Sequence, residues 1–221
     1  MNAKKTYKSV LFDMDGVLVD SEKVITKAAI NGLLEYGVSA CADDFKPFTG
    51  MGEDRFIGGV AEKHGVKYMP EMKKRVYEIY LDIVEDEIYI YPGTLPTLKK
   101  LAEMGCKMAL ASSADMVKVR ANLSVAKVDM GIFSAVLSGD DVSAKKPDPE
   151  IYLAAAKACG EAPENCLVVE DAVSGVIAAK KAGCGCVAVT TSFDEETLRK
   201  AGADYVIGDI SSLTALLERI S

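Results

Sequence analysis

Short apolar runs recur along the chain and alternate with longer stretches that have helical periodicity. The runs that predict β-strands are residues 8–12, 107–111, 135–137, 166–169, 186–190 and 205–207. From about residue 95 onward, helical patterns separate these runs, over residues 94–104, 149–159, 175–182 and 212–220. Continuous apolar strands that alternate with amphipathic helices are typical of a parallel sheet with helices on both faces. The pattern therefore predicts an α/β fold with three layers.

The stretch from residue 21 to residue 87 breaks this alternation and contains no strand of comparable quality. Its helical patterns cover residues 22–36, 54–63 and 71–87. A turn-forming sequence, Tyr91-Pro92-Gly93, follows it. We therefore predict that an α-helical cap is inserted after the first strand. The expected core is residues 1–19 and 89–221, and the expected cap is residues 20–88.

Composition narrows the partners and the location that we expect. The chain has 221 residues, nearly half of them hydrophobic, with 33 acidic and 26 basic side chains and a formal net charge of −7. Because an acidic surface repels phosphate backbones and anionic membranes, we expect neither a nucleic acid nor a membrane partner. No apolar run approaches the roughly 18 residues of a membrane span, and no signal-peptide core follows the N-terminus. The sequence predicts a cytoplasmic protein, monomeric or weakly dimeric.

The cysteine and histidine pattern disfavours several mechanisms. Six cysteines are present without a CxxC pair, and His64 is the only histidine. This pattern gives little support to a structural zinc site, and a serine–histidine–aspartate triad would have to use His64 alone. We interpret most of the cysteines as small buried side chains in a reducing compartment.

Candidate chemistry lies where the predicted strands end, at the edge where α/β sheets bind their ligands. In chain order, the candidate residues are Asp13, Asp15, Ser112, Ser113, Lys146, Glu170 and Asp171. Four carboxylates at one edge would repel one another unless a cation joins them, and acidic oxygens without histidine or thiolate select a hard ion such as Mg²⁺. Lysine supplies a point charge and serine supplies a donor, which is the complement that a phosphoryl group needs.

Each of these features alone has a simpler interpretation. An aspartate pair in a loop most often caps a turn, paired serines most often cap the following helix, and a lysine before proline is normally solvated. Glu170-Asp171 at the end of an apolar strand is more informative, because burial of unpaired carboxylates is costly. Their joint occurrence at successive strand ends favours a functional site.

Four segments around these strand ends carry a specific order of residues. They are DMDGVLVDS at 13–21, LASSAD at 110–115, KKPDPEIY at 145–152 and VVEDAVSGVIAAKKAG at 168–183. In order, spacing and residue type they resemble the four motifs of the haloacid dehalogenase superfamily, in particular the β-phosphoglucomutase-like phosphatases with a helical cap. The resemblance implies a Rossmann-like core, a Mg²⁺ cofactor and a small phosphorylated metabolite as substrate, with a sugar phosphate as the expected class.

The resemblance also implies the catalytic pair. Asp13 is the expected nucleophile, which forms an aspartyl-phosphate and ligates the metal. Asp15 is the expected acid for the leaving oxygen and then the base for water, and its backbone carbonyl is a further metal ligand. A spacing of two residues can put both carboxylates on the same side of an extended segment, and Gly16 then lets the backbone turn.

The remaining motif residues are expected to bind the phosphoryl group and the metal. By the resemblance, Ser112, the Ser113 amide and Lys146 hold the transferring phosphoryl group. Asp171 and Glu170 are expected to complete the magnesium site. A metal ion and a lysine would neutralise the phosphoryl oxygens, so that an anionic nucleophile can approach an anionic substrate.

One segment of the predicted cap has a candidate role in substrate recognition. Residues 48–55, FTGMGEDR, form either a glycine-rich turn between helices or a loop that closes over the active site. In the second interpretation Thr49, Gly50 and Arg55 are the candidates that contact the substrate's leaving group. The stretch 48–61 resembles the phosphatase domain of plant suppressor-of-quenching proteins.

Two positions depart from the pattern of true β-phosphoglucomutases, which carry a histidine on the first cap helix and an arginine in the cap loop. Ile25 and Glu53 occupy those positions in this chain. The leading hypothesis is therefore a Mg²⁺-dependent phosphatase, with a phosphosugar mutase and a non-catalytic metabolite sensor as alternatives. The complete set of core motif residues argues against the sensor, since a pure binder needs no nucleophile.

Overall fold

An α/β architecture organises the part of the chain that the computed structural model describes, residues 7–49 and 51–220. Its strands are β1 (Ser9–Phe12), β2 (Val19–Asp20), β3 (Tyr89–Ile90), β4 (Lys107–Ala111), β5 (Ala135–Leu137), β6 (Cys166–Glu170), β7 (Gly185–Val189) and β8 (Tyr205–Ile207). Its α-helices are α1 (Glu22–Leu34), α2 (Ala42–Phe45), α3 (Glu53–Lys63), α4 (Pro70–Glu87), α5 (Thr94–Glu103), α6 (Met116–Val125), α7 (Glu150–Ala158), α8 (Val173–Ala182), α9 (Glu195–Ala201) and α10 (Leu213–Ile220).

Six of the strands form one parallel sheet in the order β5-β4-β1-β6-β7-β8. Counted along the chain within this sheet, the order is third, second, first, fourth, fifth, sixth, which is the Rossmann order. Phe12 at the end of β1 lies beside Leu110 of β4 on one side and Val169 of β6 on the other. The residues that follow β1, β4 and β6 therefore meet at the topological switch point, where such sheets bind ligands.

Successive residues of the central strand pack on opposite faces of the sheet, which produces three layers. Val10 and Phe12 belong to a buried cluster that includes Leu98 of α5 and residues of α6 and α10. Leu11 belongs to a second buried cluster that includes Ile151 of α7 and residues of α8 and α9. The predicted α/β fold class, a three-layer parallel core with a helical insertion, is confirmed.

Helices α1 to α4 form the insertion, between the short antiparallel strands β2 and β3. They share a third buried apolar cluster, against which residues of α6 also pack. Tyr80 of α4 donates a hydrogen bond to the side-chain oxygen of Asn122 of α6, which joins the insertion to the core. The predicted boundaries of the cap, residues 20 and 88, lie within and next to the β2–β3 pair, and the division into two domains stays a prediction. No helix in the described ranges is long and apolar enough to cross a bilayer.

Some elements have bounds that differ from the prediction, and others were not predicted from the sequence at all. Strand β6 includes Glu170, one residue beyond the prediction, and β7 begins one residue earlier than expected. Helix α6 has no apolar periodicity because Lys118 and Asn122 occupy its buried face. Strands β2 and β3 have only two residues each, too few for an alternating pattern to be visible.

Candidate active site

The carboxyl edge of the sheet brings together every polar residue that the core motifs predicted. Asp13 directly follows β1, Ser112 directly follows β4, and Glu170 is the last residue of β6. They line a cavity of about 450 Å³ between this edge and the helical insertion. The motif residues that line it are Asp13, Asp15, Ser112, Ser113, Lys146, Glu170 and Asp171.

Lys146 is the cation at the base of this cavity. Its Nζ donates hydrogen bonds to Asp13 Oδ1 at 2.6 Å, to Glu170 Oε1 at 2.6 Å and to the Ala111 carbonyl at 3.1 Å. Burial alone would lower the pKa of Lys146, but the Coulombic attraction of Asp13 and Glu170 raises it above the ordinary lysine value. Lys146 is therefore charged and fixed between two carboxylates.

The acidic side chains carry more negative charge than Lys146 balances. Burial raises the pKa of Asp13 to about 7, against the opposing effect of Lys146 and with a contribution from Glu170. Burial also raises the pKa of Asp171 well above its ordinary value, and repulsion from Glu170 and Asp13 adds to this shift. A bound cation would reverse both effects, because it favours the ionised carboxylates.

Asp13 and Asp171 are the carboxylates that fit a Mg²⁺ ion. In residues 7–49 and 51–220, no three histidine, cysteine or acidic side chains come together in a group that could by itself hold a metal ion. Mg²⁺ does not require such a cage, since it usually binds one or two carboxylates together with water and substrate phosphate. Two carboxylates with raised pKa values, in a cavity that also holds serine hydroxyls, match that requirement.

Glu170 lies at the predicted edge of the sheet, and both of its carboxylate oxygens already accept hydrogen bonds. Its Oε1 accepts hydrogen bonds from Lys146 and, at 2.8 Å, from the Tyr152 hydroxyl. Its Oε2 accepts the backbone amides of Asp171 at 2.9 Å and Ala172 at 3.0 Å. Because both oxygens are already bonded, Glu170 orients Lys146 and the start of α8 rather than presenting a free oxygen to a metal ion.

Two residues outside the predicted set determine the position of Asp171, Gly16 by leaving space for it and Ser192 by a hydrogen bond. Gly16 has a φ of +78°, and a Cβ at this position would lie 1.9 Å from Asp171 Oδ2. The Ser192 hydroxyl donates a hydrogen bond to the same oxygen. Ser192 lies in the loop after β7 and carries no motif, so only the folded structure identifies it.

Asp15 bridges the sheet edge and the insertion. Its Oδ2 accepts a hydrogen bond from Lys118 Nζ of α6 at 3.0 Å, and its Oδ1 accepts one from the Ser21 hydroxyl. Lys118 Nζ also lies 3.7 Å from Glu53 Oε1 of α3. Sequence reasoning missed Lys118, because a lysine on a helix is usually solvated and no periodicity marked α6 as packed.

The cap residues predicted to contact the substrate have three different outcomes. Thr49 lines the cavity. Gly50 lies outside the described residues. Arg55 does not line the cavity: its guanidinium bonds Glu62 at 2.9 Å and lies over the Phe48 ring at 5.1 Å. The physical reason is helix geometry: residues two apart do not face the same side, and the α3 residues that line the cavity are Glu53 and Phe56, three positions apart.

Comparison with known proteins identifies related sequences and structures. The family model described as "Hydrolase: haloacid dehalogenase-like hydrolase" matches residues 7–183. The chloroplastic protein SUPPRESSOR OF QUENCHING 1 from Arabidopsis thaliana is 44% identical over 93% of this chain, which spans 20% of that protein. A phosphorylated carbohydrates phosphatase from Thermotoga maritima is 32% identical, over 96% of this chain and 99% of its own length.

A solved structure of a β-phosphoglucomutase from Clostridium difficile shares the fold, with a TM-score of 0.82. It is 22% identical, and 97% of each chain is covered. The match to the family model and the likeness to a phosphatase over nearly its whole length are sufficient to assign a family. The chain belongs to the haloacid dehalogenase-like hydrolases.

Proposed function

We propose that the chain is a Mg²⁺-dependent phosphatase that hydrolyses a small phosphorylated metabolite through an aspartyl-phosphate on Asp13. The observation that carries this proposal is the position of Lys146, 2.6 Å from Asp13 Oδ1 at the end of the central strand. A charged lysine beside a nucleophilic carboxylate balances the phosphoryl oxygens as they approach. It also fixes one oxygen of Asp13, so that the other is left to attack.

Two half-reactions follow from this arrangement. In the first, an oxygen of Asp13 attacks phosphorus, the bond from phosphorus to the leaving oxygen breaks, and the Asp15 carboxyl group gives that oxygen a proton. In the second, a water attacks the phosphorus of the aspartyl-phosphate and transfers a proton to Asp15, and the bond from phosphorus to the Asp13 oxygen breaks. This step releases inorganic phosphate and restores both carboxyl groups.

The remaining residues bind and orient the phosphoryl group. Ser112 is buried at the end of β4, and its Oγ accepts the Ala114 amide at 3.1 Å, which leaves its hydroxyl hydrogen available as a donor. The Ser113 backbone amide and Lys146 complete the proposed set of donors. Mg²⁺, held by Asp13, Asp171 and the Asp15 carbonyl, would supply positive charge to the phosphoryl oxygens.

A sugar phosphate is the substrate class that we propose, with hydrolysis favoured over mutase chemistry. The Thermotoga maritima relative, named for phosphorylated carbohydrates, supports the class. Ile25 and Glu53 line the cavity at the positions where true β-phosphoglucomutases carry histidine and arginine. Without those groups, the chain lacks the expected control over phosphoryl transfer to a second sugar hydroxyl. A cytoplasmic location and a monomeric or weakly dimeric state stay predictions.

Phosphate release from p-nitrophenyl phosphate tests the proposal. We expect release that requires Mg²⁺, stops with a chelator and is abolished by Asp13→Asn. Unchanged turnover in Asp13→Asn, or no release from a panel of sugar phosphates, nucleotides and phosphorylated acids, would contradict it. Conversion of β-glucose 1-phosphate to the 6-phosphate with a bisphosphate activator would instead support the mutase alternative.

A further inference from the structure

Glu53 of α3 is a buried carboxylate in the roof of the cavity. Only 7% of its surface is exposed. It lines the same cavity as Asp13 and Asp15, opposite the sheet edge. Its Oε1 lies 3.7 Å from Lys118 Nζ. Its Oε2 is fully buried and makes no hydrogen bond with any residue in 7–49 and 51–220.

Burial of a carboxylate oxygen without a hydrogen bond costs free energy, so such an oxygen is expected to have a partner. Lys118 is a partner for Oε1, and this contact links the insertion to the core. That link leaves Oε2 without a partner among the described residues, and a donor that enters the cavity would supply one. A substrate hydroxyl group is such a donor, and the proposed reaction brings the substrate's leaving group to this side of the cavity.

The charged side chains that line the cavity indicate which leaving groups it can bind. Among the described residues that line the cavity, those from α1 and α3 include Glu22 and Glu53 but no lysine, arginine or histidine. The described lining includes two lysines, and both are paired: Lys146 with Asp13, and Lys118 with Asp15 and Glu53. In the part of the lining that the structure describes, no unpaired cationic side chain is therefore left to bind a carboxylate or a second phosphate on the leaving group.

We propose that Glu53 determines specificity by accepting a hydrogen bond from a hydroxyl of an uncharged polyol leaving group and by repelling anionic leaving groups. This inference rests on the proposed phosphatase function and narrows it to monophosphates of neutral sugars and polyols. Phosphorylated carboxylic acids and bisphosphates are excluded by charge rather than by size.

A matched pair of ligands tests this assignment. Glycerol 3-phosphate and 3-phosphoglycerate differ in one group, a hydroxymethyl in the first and a carboxylate in the second. The measurement is the apparent inhibition constant of each ligand in p-nitrophenyl phosphate hydrolysis at pH 7.5, which reports binding whether or not the ligand is turned over. We expect the wild-type protein to bind the neutral member more tightly.

The variant Glu53→Gln keeps the size of the side chain and removes its charge. We expect it to shift the ratio of the two inhibition constants toward 3-phosphoglycerate by about tenfold, since one close charge governs the discrimination. Glu62→Gln is the control on the same helix, because Glu62 is exposed and paired with Arg55. It should leave the ratio unchanged.

The possible outcomes distinguish failure of the proposed phosphatase function from failure of the inference about Glu53. If the wild-type protein does not hydrolyse p-nitrophenyl phosphate, the proposed function fails and the inference fails with it. If hydrolysis is normal but Glu53→Gln changes both constants equally, Glu53 is only a structural link and the inference alone is overturned. Should the variant not fold, the wild-type ratio decides: equal binding of the two ligands, or binding of neither, overturns the assignment.

Discussion

The Lys146 ammonium lies 2.6 Å from the Asp13 carboxylate, although 133 positions separate the two residues along the chain. Helix α7 produces this contact, because it packs over the central strand β1 and so brings the loop that precedes it to the end of that strand. Glu170, at the end of the neighbouring strand β6, holds the same ammonium at 2.6 Å. The charge balance of the proposed site therefore exists only in the folded chain.

Replacement of this cation by Lys146→Met should remove most of the activity. We expect kcat/KM for p-nitrophenyl phosphate to fall by roughly a hundredfold or more, because the phosphoryl charge loses its fixed counter-charge. The free energy of unfolding should also fall by about 3 kcal/mol, since Asp13 and Glu170 lose their buried partner. Lys157→Met, on the exposed face of α7, is the control and should change neither quantity. Full activity in Lys146→Met would contradict the proposed site.

Gly16 makes room for Asp171, so Gly16→Ala should impair metal binding. The Cβ would lie 1.9 Å from Asp171 Oδ2, and we expect the Mg²⁺ concentration for half-maximal activity to rise by roughly tenfold or more. Gly37→Ala is a matched control, because Gly37 has a nearly equal φ of +79° with no atom within 4 Å of its Cβ. Both variants should lose roughly 1–2 kcal/mol of stability from the left-handed backbone, but only the first should lose Mg²⁺ affinity. Equal Mg²⁺ dependence in the two variants would contradict a role for Asp171.

The buried Glu53 side chain should make stability depend on pH. Burial raises its pKa from 4.5 to about 6, with Lys118 opposing the shift and Asp115 and Asp15 adding to it, and Glu53 in turn faces Tyr77. The folded state therefore holds this proton more tightly than the unfolded state. Its contribution is fully present below pH 4.5 and is lost as the pH rises through 6.

The substitution Glu53→Gln removes the ionisable carboxyl group, so the variant does not lose this stability as the pH rises. Between pH 4 and pH 7 the free energy of unfolding of the variant, relative to the wild type, should rise by about 2 kcal/mol or less. Denaturant unfolding at several pH values measures this difference, with Glu62→Gln as the control. A difference that stays constant with pH would show that Glu53 is not held in a charge-disfavouring environment.

Much of the core was predictable because local pattern and tertiary role agree. Strands β4, β5 and β8 have the predicted bounds, since each is a short apolar run that the sheet buries or half-buries. The motif residues follow strand ends directly, so the rule that parallel strands share one carboxyl edge was sufficient to expect them in one place. The structure brings all seven to one cavity.

The roof of the cavity was not predictable, because it depends on how the helical insertion packs on the core. Lys118 and Glu53 meet across that contact, and neither has a local signal: a lysine and a glutamate on helices are usually solvated. Arg55 illustrates the same difficulty. The glycine-rich stretch before α3 suggested an inward arginine, but the start of the helix at Glu53 turns that side chain outward.

The most direct test of the account is to trap the phosphoryl group on the protein with Asp15→Asn. p-Nitrophenolate leaves without a proton, so this variant can still form the aspartyl-phosphate, but it lacks the base that activates water. After mixing with p-nitrophenyl phosphate and Mg²⁺ and quenching in acid, peptide mass spectrometry should locate one phosphate on Asp13. The double variant with Asp13→Asn should carry none. Phosphate on another residue, or on no residue while p-nitrophenolate is still released, would contradict the assignment of Asp13 as the nucleophile.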